Sequence, residues 1–281
     1  MSGTESAGAA AWVWSNREGI LKTLKKLYGW FRTSWPWGAK KRGILILGTG
    51  GVGKTTLAKL LSGSYNWLLD NPGRYEESID IEKYIPKGGP SVEVLVPPGQ
   101  KHRRESTWAD LHADIGKGKF SGIILLTAYG YDTLGQISVE NHKLFTGDRH
   151  EFLQKYLEDR RKDELAVLRE LAPHMKVSTK KLWMLTVVAK EDLWWDKHSQ
   201  VDRYYRTEKY GAELQKVIGK QDPKRFRHEF AFASLVISNF NTGKGDCLQP
   251  NVAGYDHQMQ VESLRRLFQT FAALKNWEEA P

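Results

Sequence analysis

The sequence is poor in the features that several classes of protein require. Cys247 is the single cysteine among 281 residues, which leaves neither an intramolecular disulfide nor a cysteine-rich zinc site. No apolar run approaches the ~20 residues of a membrane-spanning helix, and the opening residues lack the basic-then-apolar arrangement of a secretory signal. Hydrophobic residues (40%) and charged residues (27%) occur in the proportions of a folded chain. We therefore expect a globular protein in the cytoplasm.

Positive charge and tryptophan are concentrated near the start of the chain. The formal charge is +9, and residues 1–42 carry eight Lys or Arg side chains against two acidic ones. The same residues hold five of the eleven tryptophans. The sequence therefore divides into a basic, Trp-rich arm, residues 1–42, and a nearly charge-balanced body, residues 43–281, which we expect to be one domain. Because no dense basic stripe occurs outside the arm, nucleic acid is not an expected partner.

Residues 14–31 of the arm have the spacing of an amphipathic helix. Apolar side chains recur every three or four residues, at Ile20, Leu24, Leu27 and Phe31. Lysines fall largely on other faces. Such a helix can dock on a protein partner, lie in a membrane interface through residues 12–37, or pack on the body of its own chain. The spacing is compatible with all three.

Short apolar segments alternate with longer amphipathic ones in the body. The apolar segments predict strands over 43–48, 80–86, 91–97, 120–128, 182–189 and 229–237. The amphipathic segments predict helices over 54–63, 106–115, 151–171, 201–218 and 257–274. Two long connections, 129–149 and 239–256, remain. This alternation is typical of a three-layer α/β fold with a mainly parallel sheet, here of six strands.

The strongest local signal is a glycine-rich loop between a predicted strand and a predicted helix. It matches the pattern G-x-x-x-x-G-K-[ST] in full. The expected phosphate-binding residues are Gly48, Gly50, Gly51, Val52, Gly53, Lys54, Thr55 and Thr56. Backbone N–H groups of such a loop turn toward phosphate oxygens, and the following helix adds partial positive charge. We expect Lys54 to reach the β- and γ-phosphates and Thr55 to bind Mg²⁺.

Three families share a loop of this kind. It resembles that of partitioning ATPases of the ParA and MinD type, which carry a signature lysine where this chain has Thr49. It also resembles that of NB-ARC signalling ATPases, in which an apolar strand ends in paired aspartates, and no predicted strand here ends in that way. Residues 43–275 are instead similar to Ras-like G proteins of the translation-factor class.

Two motifs resemble the switch regions of Ras-like G proteins. Residues 77–80 resemble switch I, where Ser78 would bind Mg²⁺ together with Thr55. Residues 96–100 resemble the switch II motif D-x-x-G-Q, which places Gln100 at the catalytic glutamine that orients the attacking water. The basic residues 102–104 follow. An arginine there could stabilise charge on the γ-phosphate, but solvated side chains of a surface loop are the simpler expectation.

The remaining resemblance concerns guanine recognition. Residues 189–192, Ala-Lys-Glu-Asp, are similar to the element N-K-x-D, with alanine in place of asparagine. The resemblance implies that Asp192 accepts hydrogen bonds from guanine N1 and N2, and that the stem of Lys190 covers the base and sugar. Residues 233–235 are the nearest fit to the last base-contact motif, S-A-[KL]. The resemblance therefore implies a Ras-like G domain that binds GTP or GDP with Mg²⁺.

The family pattern is broken at Val96. An aspartate usually stands there and holds Mg²⁺ through a water molecule, whereas valine has no oxygen to offer. The resemblance thus implies a GTP-binding molecular switch that slowly hydrolyses GTP to GDP and phosphate. Its arm would recruit it to a protein partner or a membrane surface. Two alternatives stay open: a pseudo-GTPase that binds nucleotide without turnover, and an ATP-dependent regulator of the NB-ARC type.

Overall fold

The computed structural model describes most of the body and a few residues of the arm. The described residues are 22, 23, 25, 26, 28, 29, 42–64, 80–86, 92–134, 138–175, 180–242 and 245–280. The predicted metal ligand Ser78 and all five tryptophans of the arm lie outside them.

Six strands form one sheet through the body. They are β1 (Gly43–Gly48), β2 (Glu82–Tyr84), β3 (Val94–Val96), β4 (Phe120–Thr127), β5 (Leu182–Val188) and β6 (Phe226–Phe232). Their order in the sheet is β2-β3-β1-β4-β5-β6. β2 is antiparallel to β3, and every other neighbouring pair is parallel. Every residue of β4 and β5 is buried, as expected for strands covered on both faces.

Helices surround this sheet, and one small hairpin follows it. The helices are α1 (Lys54–Leu61), α2 (Lys101–Gly116), α3 (Arg149–Met175), the single turn α4 (Glu191–Trp194), α5 (His198–Arg206), α6 (Lys209–Ile218) and α7 (His257–Glu279). Short 3₁₀ turns span Val139–Asn141 and Trp195–Lys197. The hairpin pairs β7 (Phe240–Asn241) with β8 (Cys247–Gln249).

The connections place helices on both faces of the sheet. The chain reaches β3 from β1 through α1 and β2, and it then returns through α2 to β4 on the other side of β1. Because parallel crossovers share one hand, α1 and α2 lie on opposite faces. α3 packs beside α2 and contacts β1, whereas α7 contacts β5 and β6. The predicted fold class, a three-layer α/β fold with a mainly parallel six-stranded sheet, is confirmed.

Some predicted boundaries were wrong. The single helix predicted over 201–218 is two helices, α5 and α6. Gly211 allows the start of α6 to pack against the end of α5, because a Cβ at this position would lie only 2.3 Å from the backbone carbonyl carbon of Arg206. β6 begins and ends earlier than the predicted 229–237. α2 begins at Lys101, directly after Gln100, so residues 102–104 lie in its first turn and not in a loop.

The described residues between 22 and 29 of the arm are helical, and one of them, Tyr28, contacts the body. Tyr28 is buried and belongs to the same apolar core as α1 and β1. Its ring lies over Gly63, just after α1, where a Cβ would approach the ring to 2.7 Å. This turn of the arm therefore packs on its own chain. Among the described residues, no helix has the length and apolar character needed to cross a membrane.

Candidate nucleotide-binding site

The predicted phosphate loop follows β1 and leads into α1. Gly48 ends the strand with φ 151°, and a Cβ there would lie 2.3 Å from the carbonyl oxygen of Leu126 on β4. Gly53 precedes α1 in the left-handed conformation, with φ 100°. Side chains are strained in both conformations, so the loop needs its glycines to turn sharply between strand and helix.

Lys54 lies across the loop that contains it. Its ammonium group donates hydrogen bonds to the carbonyl oxygens of Gly48 (3.1 Å) and Thr49 (2.9 Å). Burial lowers the pKa of Lys54 to about 8, and Asp132 opposes that shift. The positive charge is therefore held at the centre of the loop, where anionic phosphates would bind.

The segment after β3 packs on the same loop. A Cβ at Gly99 would lie 2.2 Å from Nζ of Lys54 and 2.5 Å from the carbonyl oxygen of Gly48. Gln100 lies against Gly50, whose Cβ would be 3.5 Å from the Cγ of the glutamine. The indole of Trp108 on α2 fixes this segment by donating to the carbonyl oxygen of Pro98 (3.0 Å). The structure thus brings Lys54 and Gln100, the two predicted catalytic residues, to one place.

Arg104 is buried, contrary to the expectation of solvated basic side chains. It is 3% exposed, its Nη1 lies 3.6 Å from Oε2 of Glu170 on α3, and its guanidinium lies over the ring of Trp108. Its charge contributes to the lowered pKa of Lys54. The expectation failed because α3 packs beside α2 and covers this side chain, and a sequence does not show which helices become neighbours.

Thr55, the predicted metal ligand, faces a carboxylate that the sequence did not single out. Its hydroxyl donates to both oxygens of Glu82 on β2, at 3.2 and 3.4 Å, and the hydroxyl of Tyr84 donates to the same carboxylate. Oxygen donors of this kind suit Mg²⁺, which takes few protein ligands beside phosphates and water. Among the described residues, no group of three or more His, Cys, Asp or Glu side chains could hold a metal.

Lys190 connects the predicted guanine-binding element to the phosphate loop. It follows β5 in the left-handed conformation, with φ 58°, and its ammonium group donates to the carbonyl oxygen of Tyr131. Two residues after Tyr131, the hydroxyl of Thr133 donates to the carbonyl oxygen of Gly51 in the phosphate loop (3.2 Å). Burial lowers the pKa of Lys190, although the carboxylate of Asp132 beside it favours the charged form.

Asp192 is joined to the predicted last base-contact motif. The hydroxyl of Ser234 donates to its Oδ1 at 2.7 Å, and the backbone N–H of Ser238 donates to its Oδ2 at 3.0 Å. The pKa of Asp192 is raised because the residue is buried and only 1% exposed. Each carboxylate oxygen of Asp192 therefore already accepts one hydrogen bond from the chain.

Two buried acids beside the site were missed. Burial raises the pKa of Asp132 to about 6, next to Lys190 and Thr49. Glu164 on α3 accepts hydrogen bonds from the backbone N–H groups of Ala128 (2.9 Å) and Gly130 (3.0 Å). Glu164 therefore holds the turn after β4 that carries Asp132. The sequence offered no signal for either acid, since one follows a strand in a long connection and the other lies in a charge-rich helix.

These features together define the fold. The strand order with an antiparallel β2 and the glycine-rich loop between β1 and α1 are those of the Ras-like P-loop GTPase fold. The chain has this fold in a divergent form. The predicted resemblance is confirmed at the level of the fold.

Comparison with known proteins gives similarity in structure and none in sequence. No known sequence family and no curated protein matches the chain. Similar solved structures include the small COPII coat GTPase SAR1 from Encephalitozoon cuniculi in complex with GDP, which is 14% identical over 95% of this chain and 96% of that chain, with a TM-score of 0.41.

Two further similar structures come from the signal recognition particle (SRP) system. The mammalian SRP receptor is 16% identical over 83% of this chain and 100% of that chain, with a TM-score of 0.46. The signal recognition particle receptor SRb-GDP from Chaetomium thermophilum is 13% identical over 80% of this chain and 98% of that chain, with a TM-score of 0.37. Similarities this distant say nothing about what this chain binds, and its fold rests on its own strand order and loop.

Proposed function

We propose that the protein binds GTP and GDP and acts as a molecular switch that hydrolyses GTP slowly. The observation that carries the proposal is the pairing of Asp192 with Ser234, at the same edge of the sheet as the phosphate loop. Asp192 would accept hydrogen bonds from guanine N1 and N2. Lys190, which reaches from this element toward the loop, would cover the base and sugar with its stem.

The phosphates would be bound by the loop and by Lys54. Backbone N–H groups of residues 48–56 and the N-terminus of α1 suit an anion. Lys54 adds a full positive charge at the centre of the loop. Mg²⁺ beside Thr55 would neutralise charge on the β- and γ-phosphates when it is bound.

Hydrolysis in this class depends on positioning and on stabilising charge. Gln100, directly before α2 and against Gly50, would orient the attacking water. We expect slow turnover because Val96 supplies no oxygen for the metal. Val96 also favours the second candidate, a pseudo-GTPase that keeps the nucleotide for structure alone. Hydrolysis in a single turnover that disappears in Gln100→Ala supports the GTPase, and its absence in the wild type supports the pseudo-GTPase.

Nucleotide preference is tested by calorimetry with GTP, GDP and ATP, with and without Mg²⁺. We expect guanine nucleotides to bind at least about tenfold more tightly than ATP, or about 1.4 kcal/mol. Asp192→Asn keeps the shape of the side chain but replaces one acceptor by a donor, so the preference should be lost while phosphate contacts remain. A preference for ATP that survives Asp192→Asn would exclude the guanine proposal and favour the ATP-dependent alternative.

We further propose that a protein partner or a membrane surface in the cytoplasm is contacted through the arm. Its basic and Trp-rich composition supports this proposal. Lys22, Lys25 and Lys26 are exposed on the helical part of the arm. Replacing all three by glutamate in the full chain should weaken sedimentation with anionic liposomes, since each basic residue near such a surface contributes about 1 kcal/mol. Equal sedimentation of both proteins would count against the membrane and leave a protein partner or packing of the arm on its own chain.

A further inference from the structure

The valine that breaks the family pattern lies directly opposite an acidic residue. Val96 at the end of β3 pairs with Glu82 at the start of β2 in the antiparallel ladder. Residues opposite each other in such a ladder project to the same face of the sheet and are close neighbours. Val96 is fully buried and has no oxygen to offer a metal, whereas Glu82 presents a carboxylate at the opposite position of the ladder.

The carboxylate of Glu82 points to the first turn of α1. It accepts the hydrogen bond of the Thr55 hydroxyl at 3.2 Å, and Tyr84 holds it from its own strand. Its charge also acts on Lys54, whose pKa it raises against the larger effect of burial. Three groups therefore converge beside the phosphate loop: a hydroxyl, a carboxylate and an ammonium group.

We propose that Glu82 supplies the carboxylate that Val96 cannot, and that it binds Mg²⁺ together with Thr55 when guanine nucleotide is present. The proposal rests on the proposed function. Both groups offer oxygen, the ligand that Mg²⁺ prefers, and a site that includes phosphate oxygens and water needs few protein ligands. The carboxylate has thus moved from one strand of the ladder to the opposite position on the neighbouring strand.

A carboxylate in this position has opposite effects with and without the metal. Without Mg²⁺, Glu82 places a negative charge beside the phosphates and repels them. With Mg²⁺, the same charge stabilises the ion that the phosphates share. Glu82→Gln should therefore weaken GDP binding in excess Mg²⁺ and strengthen it in EDTA. A purely structural role of Glu82 would change both affinities in the same direction.

The experiment measures GDP binding to the full chain by calorimetry in excess Mg²⁺ and in EDTA. We expect the ratio of the two affinities to fall by about 10- to 100-fold in Glu82→Gln, the range found when groups around a metal are removed. Glu93→Gln is the matched control, because Glu93 is exposed just before β3 and changes the net charge equally. Adding Val96→Asp to Glu82→Gln should restore much of the ratio.

The outcomes separate this proposal from the function on which it rests. If the wild type binds no guanine nucleotide, the proposed function fails. If the wild type binds GDP but its affinity does not depend on Mg²⁺, or if the ratio of affinities is the same in Glu82→Gln as in the wild type, Glu82 is not a metal ligand. The proposed guanine nucleotide binding would then still stand. If Glu82→Gln does not fold, Glu82→Asp is measured instead. Aspartate keeps the negative charge but is one methylene shorter, so its carboxylate lies further from Thr55. An unchanged ratio of affinities in Glu82→Asp would also overturn the assignment.

Discussion

Nucleotide binding should depend on pH through Lys54. Burial lowers the pKa of this residue to about 8, so the protein without nucleotide loses the positive charge of the loop as the pH rises above that value. Phosphates bind the charged form and raise its pKa again. At pH 9, about nine-tenths of the unbound protein carries a neutral Lys54. Binding must then recharge it, which costs about 1.4 kcal/mol, or about tenfold in affinity relative to pH 7.

The same coupling predicts a measurable uptake of protons. At pH 8, binding of GDP should take up about half a proton per site, because about half of the unbound protein has a neutral Lys54. Calorimetry at that pH in buffers of different ionisation enthalpy gives the number directly. At pH 6.5, where the unbound lysine is charged, its contribution to the uptake should be close to zero.

Lys54→Arg is the matched variant, because arginine stays charged throughout this range. Its affinity for GDP is expected to be lower, since a guanidinium does not fit where the ammonium group bonds two loop carbonyls. Unlike the wild type, Lys54→Arg should bind GDP with the same affinity at pH 7 and at pH 9. A wild type whose GDP affinity is equal at pH 7 and 9, with no uptake of protons at pH 8, would refute the reasoning.

Two further predictions concern the support of the site. Burial raises the pKa of Glu164 from 4.5 to about 7, so its ionisation destabilises the fold as the pH rises through that window. Glu164→Gln should remove most of this loss of stability between pH 5 and 8, measured as the free energy of urea unfolding at both pH values. An unchanged pH dependence would show that ionisation of Glu164 is not its cause. Gly99→Ala should lower GDP affinity and cost about 1–3 kcal/mol of stability, because its Cβ would overlap Lys54. Gly29→Ala is the control, because an added Cβ would have no atom of the described residues within 4 Å. This substitution should be neutral or stabilising.

Most of the sheet and the phosphate loop could be predicted from the sequence alone. β1, β4 and β5 are continuous apolar segments because both of their faces are buried, and their predicted bounds agree with the structure to within one residue. The loop has a pattern that glycine geometry imposes locally. Local sequence therefore determines these elements, and tertiary packing changes little in them.

The features that could not be predicted depend on contacts between distant segments. Glu82 faces Thr55 and Val96 only because of the register of a short antiparallel pair. Arg104 is buried only because α3 lies beside α2. β6 begins three residues before the predicted start because its outer residues are only partly buried, which weakens the apolar pattern. In each case the information lies in which segments become neighbours.

The contact between Tyr28 and Gly63 connects the arm to the proposed phosphate-binding site. Gly63 follows the C-terminal end of α1, and the phosphate loop lies at the N-terminal end of the same helix. A helix of eight residues is about 12 Å long, so the two sites are separated by about that distance along α1. If the proposed nucleotide binding displaces α1, it also changes the contact between Tyr28 and Gly63. By thermodynamic linkage, the free energy by which bound nucleotide changes the docking of the arm equals the free energy by which docking of the arm changes nucleotide binding.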